Sequence, residues 1–147
     1  MNQAACSCTW DWKKWAIGTI VVAAVYAGID YVVHHKVLLN LYQANAHLWR
    51  APAETSAKMW WLWLNYVAFG ALFAWIYTKG YVASKAGPSQ GLRYGFLLGV
   101  FYWGMHLMGS YPFLPWPDAL YKNWFAFGIA EFAVLGWLVG LVYQPKS

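Results

Sequence analysis

The chain is patterned as four apolar runs separated by short stretches that hold most of the charge. The first, Trp15 to Val33, rises about 1.5 Å per residue as a helix and so crosses a hydrocarbon core roughly 30 Å thick. The second, Met59 to Tyr77, opens with Trp60, Trp61 and Trp63, side chains that suit the aromatic belt of a membrane boundary. Leu92 to Ser110 and Lys122 to Tyr143 complete the set. The expected fold is all-α, a polytopic membrane protein with four transmembrane helices in a bundle. It forms a single membrane domain over residues 1–147, with spans at about 15–33, 59–77, 92–110 and 122–143.

The connections differ in character. Between spans one and two, Val37, Leu38, Leu41, Tyr42 and Leu48 recur at helix-like spacing among Asn40, Gln43, Asn45 and His47. This predicts an interfacial helix, or a continuation of span one, ended by Arg50-Ala51-Pro52. Thr78 to Gly91, with Gly87-Pro88-Ser89, reads as a loop, and the stretch from Tyr111 to Asp118, with Pro112, Pro115 and Pro117, as a tight turn. Gly91, Gly95 and Gly99 recur every four residues in span three, and Gly136 with Gly140 repeats the spacing in span four. Bare backbone at that interval lets two membrane helices approach closely, so these two spans are expected to pack together.

Composition sharpens the membrane reading. Charged residues make up 10% of the chain, against about a quarter in a soluble domain, and 61% is hydrophobic. A net charge of +5 does not point to nucleic acid, because no basic block and no zinc spacing accompanies it. With four spans the termini share a side. Lys13, Lys14, Lys79, Lys85, Arg93 and Lys146 lie on that side, and Lys36, Arg50, Lys58 and Lys122 on the other. The excess of basic residues predicts cytoplasmic termini. Cys6 and Cys8 read as reduced thiols near the amino terminus, and the first span as an anchor rather than a cleaved leader, since no apolar region precedes Cys6.

Ionisable residues inside apolar runs carry the candidate chemistry, because a charge in hydrocarbon is costly unless it faces protein or water. Counted from the outer end of each span, Asp30, Asn65, His106 and Glu131 all fall roughly 5–15 Å below the boundary. Asp30 and His34, four apart, share one helix face. His106 shares its helical phase with Gly95 and Gly99. Asp30, His34, Asn65, His106 and Glu131 thus form a predicted intramembrane polar layer. Three readings of that layer stand: structural hydrogen bonds, a proton or small-ligand site, or a metal held by Asp30, His34, His106 and Glu131. No nucleophile motif, phosphate-binding loop, haem-attachment motif or zinc helix is present, so neither a catalytic residue nor a cofactor is predicted.

Leu41-Tyr42, Leu48-Trp49-Arg50, the Trp60 to Tyr77 helix and Gly91-Leu92-Arg93-Tyr94-Gly95 resemble a group of small, uncharacterised bacterial four-helix integral membrane proteins. The likeness runs from about Trp15 to Tyr143. It implies a multi-pass protein of the bacterial inner membrane and no particular activity. The expected function is an accessory or scaffold subunit, not an enzyme, whose partners are the lipid bilayer and other membrane chains or further copies of itself. The alternative is a small membrane protein that binds a proton, metal or small ligand at the polar layer.

Overall fold

A computed structural model describes residues 11–144. Cys6, Cys8 and Lys146 lie outside the described residues. Helix α1, Trp12–Val32, starts three residues ahead of the apolar run because Asp11 caps it, its carboxylate accepting the Lys13 and Lys14 N–H groups at 3.1 Å. It passes directly into a π-helical turn at Val33–Val37. The expected interfacial segment is a short helix, α2, at Leu39–Ala44, followed by a 3-10 turn at Ala46–Leu48.

Helix α3, Pro52–Gly80, begins well before Met59, with Pro52 in its first turn, where proline lacks only an N–H that would be unpaired anyway. Glu54 reinforces that start by pairing with both Arg50 and Lys58. Helix α4, Gly87–Ser110, corrects the loop reading of Gly87-Pro88-Ser89 for the same reason: Pro88 lies in the first turn of a helix instead of breaking one. Helix α5, Asp118–Val142, follows the proline-rich turn. No strand occurs among the described residues. The segments Trp12–Val37, Pro52–Gly80 and Asp118–Val142 are long and apolar enough to cross a membrane; α4 has the length but a lower mean hydropathy.

The helices associate as two hairpins, α1 on α3 and α4 on α5, joined through α1 and α5. The α4–α5 seam is the expected glycine contact. A Cβ on Gly91 would run into the carbonyl of Gly136, one on Gly136 into the carbonyl of Gly91, and Gly87 and Gly140 oppose each other in the same way. Gly95 and Gly99 continue the seam against Phe132. Gly70 performs this role for α1 on α3, where an added Cβ would meet the Thr19 carbonyl at 2.7 Å.

Aromatic side chains fill the space between the hairpins. Phe69 and Phe73 meet Phe132 edge-on, at 5.0 and 5.9 Å between centroids. Two tyrosines among them are hydrogen-bonded to backbone: the Tyr94 hydroxyl donates to the Phe73 carbonyl at 2.8 Å, the Tyr77 hydroxyl to the Gly87 carbonyl at 3.1 Å. Val22, Phe73, Phe132, Leu135 and Val139 are fully buried at the centre of this core.

Candidate functional site

The site forms where α1 turns π-helical, a local widening often found at functional positions. The Leu38 N–H reaches back five residues to the Val33 carbonyl at 2.8 Å. One turn of α1 separates Asp30 from His34, and His34 Nε2 lies 3.0 Å from Asp30 Oδ1. The Tyr66 hydroxyl, brought in by α3, donates to Asp30 Oδ2. The Tyr42 hydroxyl, brought in by α2, bonds His34 Nδ1, and the two rings lie 15° from parallel. Trp124 Nε1 of α5 donates to the Tyr42 oxygen at 2.7 Å.

These bonds have a direction. The indole can only donate, so the Tyr42 oxygen accepts and its own hydrogen is free for His34 Nδ1. His34 then carries hydrogen on Nε2 and donates it to Asp30, which also receives the Tyr66 hydrogen. Burial pushes the Tyr42 phenol up to about 12, so Tyr42 keeps its proton through the neutral range.

Behind this chain of bonds lies Glu131, the one buried charged side chain among the described residues. Its Oε1 atom is buried without a hydrogen-bond partner, as is Trp103 Nε1. The Trp103 indole sits directly over Gly128, where any Cβ would overlap it. Glu131, Trp103 and Gly128 share a cavity of about 10 Å³ with Asp30, His34 and Trp124, room for about one water molecule. Asp30, His34 and Trp124 also line a second, open pocket of about 780 Å³, whose other walls include His35, Trp49 and Arg50. Asp30, His34 and Trp124 therefore line both the small cavity beside Glu131 and the open pocket.

Of the five predicted layer residues, Asp30, His34 and Glu131 come together. Asn65 is exposed on α3 and, although it adjoins Tyr66, which bonds Asp30, makes no hydrogen bond to the cluster. His106 does not belong to it. It is exposed and packs against Tyr102 and Trp103. The reason is geometric. Rows of residues four apart drift about 40° per step around a helix, so the buried face that begins at Gly91 and Gly95 has rotated to Leu107 by the outer end of α4. His106 keeps the starting phase and is left outside.

Without His106 the metal reading loses a ligand, and no group of three His, Cys, Asp or Glu among the described residues could hold an ion. Sequence reasoning missed Tyr42, Tyr66, Trp103 and Trp124. Tyr66 adjoins Asn65 at the right depth, which is the one signal that could have found it; the others rest on how the α2 segment folds back and on the α4–α5 seam. No protein-family model, curated protein or solved structure matches the chain.

Proposed function

We propose that the protein is a four-span membrane protein of the bacterial inner membrane, with cytoplasmic termini, that binds and releases a proton at the Asp30–His34–Glu131 cluster. It acts as a binding protein and not as an enzyme. A small ligand in the 780 Å³ pocket would meet the cluster through Asp30 and His34. The observation that carries this reading is the buried, unpartnered Oε1 of Glu131, a residue that lines the same small cavity as Asp30 and His34. A packing device would be expected to satisfy such an atom, since an unpaired buried polar group costs about 1–3 kcal/mol. A group that must gain and lose a proton is left with room to do so.

The test is infrared difference spectroscopy on proteoliposomes, titrated from acid to alkaline. Wild type is expected to show a titrating carboxyl band that Glu131→Gln removes and Asp30→Asn shifts, with helical circular dichroism unchanged in both. Identical spectra from wild type and Glu131→Gln would overturn the proposal. The accessory-subunit reading would then stand, and one observation favours it: the outer half of α3 leaves Trp60, Trp61, Trp63, Leu64 and Val67 exposed along one helix. Lipid covers such a face as well as a partner chain does, which is why it ranks second.

A further inference from the structure

The end of the bundle away from the Asp30–His34–Glu131 cluster carries a separate feature. The connection between α3 and α4 borders an open cleft of about 490 Å³, lined by Val82, Lys85, Ser89, Arg93 and Leu97 among others. The connection is braced from within. The Gln90 side chain accepts the Val82 N–H at 2.9 Å and donates to the carbonyls of Val82 and Lys85 at 2.9 and 3.0 Å. One side chain thus holds the backbone at Lys85 against the helix that bears Arg93.

Both cations are exposed, and among the described residues neither pairs with a carboxylate. The chain has five acidic residues. Asp11, the one at this end, is occupied in capping α1, while Asp30, Glu54, Asp118 and Glu131 lie in the interior or at the other end. Among the described residues the cleft is therefore a place of uncompensated positive charge.

The exposed stripe of α4 that starts in the cleft changes character along the helix and runs past the cleft to Phe101. Ser89, Arg93, Leu97 and Phe101 follow one another on successive turns and are all exposed, polar at the connection and apolar further along. A soluble anion would use only the first half of that stripe. We propose that the cleft binds an anionic phospholipid, its phosphate held by Lys85, Ser89 and Arg93 and one acyl chain lying along Leu97 and Phe101. The Arg93 guanidinium can grip two phosphate oxygens at once, and Lys85 adds a point charge beside it.

The experiment uses the full chain in nanodiscs of phosphatidylcholine with a minor fraction of phosphatidylglycerol, re-extracted into detergent and weighed by native mass spectrometry. Wild type is expected to retain phosphatidylglycerol. Lys85→Gln with Arg93→Gln is expected to hold it about thirtyfold more weakly. Leu97→Gln, which keeps both cations, is also expected to weaken retention, while Lys36→Gln with Lys122→Gln, at the other end, leaves it unchanged. Equal retention by wild type and both cleft variants would overturn the proposal, as would an equal loss in the Lys36 and Lys122 variant, which would indicate diffuse charge. Inorganic phosphate that raises the thermal midpoint as much as phosphatidylglycerol, with Leu97→Gln silent, would mean a soluble-anion site and overturn the lipid reading.

Discussion

The Tyr42 hydroxyl sits between two nitrogens, accepting from Trp124 Nε1 and giving its hydrogen to His34 Nδ1. It is therefore the atom through which α2 is tied to α5 and to the Asp30–His34 pair. Tyr42→Phe leaves both nitrogens without that partner, and we expect a loss of about 1–3 kcal/mol at neutral pH, read from thermal unfolding in detergent. The pH dependence follows from the phenol. Its folded pKa, about 12, is raised above the unfolded 10.0 by burial, so its contribution is complete below 10.0 and is lost as pH rises toward 12. The gap between wild type and Tyr42→Phe should narrow across that window, and a gap that stays constant would show that the phenol is not held as described. Asp30 and His34 were legible because a four-residue spacing declares a shared face, and Glu131 because it stands alone in an apolar run. Tyr42 and Trp124 were not, because in a chain with 11 tyrosines and 12 tryptophans no single ring stands out.

Helix α4 owes its place to residues without side chains. Against α5 its backbone approaches so closely that a Cβ at Gly91 meets a carbonyl and a Cα instead of a movable side chain. Gly91→Ala should therefore destabilise the protein by about 1–3 kcal/mol. Gly28 in α1 is the contrasting case: nothing lies within 4 Å of where its Cβ would be, so Gly28→Ala should stabilise by roughly 0.5–1 kcal/mol through reduced backbone freedom. Guanidinium-free unfolding in mixed micelles, run on the pair side by side, measures both signs. Opposite signs are the expected result, and a Gly91→Ala variant as stable as wild type would contradict the seam. This seam was readable from the four-residue glycine spacing alone. Its consequence for His106 was not, because spacing gives the face on which a contact starts, and only the crossing of two helices fixes how that face rotates along them. The Gly70 contact escaped for a related reason: a single glycine has no period.

At the scale of the whole molecule the four-span proposal turns on α4, which the three apolar spans do not include. Its 24 residues make a rod of about 36 Å, long enough for the hydrocarbon core. Its low mean hydropathy comes in good part from glycine, and Gly87, Gly91, Gly95 and Gly99 are buried within the bundle, where hydropathy has no bearing on lipid. The face it leaves exposed is largely apolar, with Leu92, Phe96, Leu97, Val100, Phe101, Met105 and Met108, and carries Arg93 near its start and His106 near its end. On the proposed four-span reading, the close fit to α5 carries α4 across beside it. Crossing by α4 puts the α3–α4 connection on one side of the membrane and the proline-rich turn, with the α2 segment, on the other. Single cysteines at Asn40, Ala83 and Phe113, in a Cys6→Ser, Cys8→Ser background, test this with a membrane-impermeant thiol reagent. In spheroplasts the Asn40→Cys and Phe113→Cys proteins should react at once, and the Ala83→Cys protein only after lysis. Reaction of Ala83→Cys and Phe113→Cys from the same side would mean that α4 does not cross, and would overturn the four-span proposal.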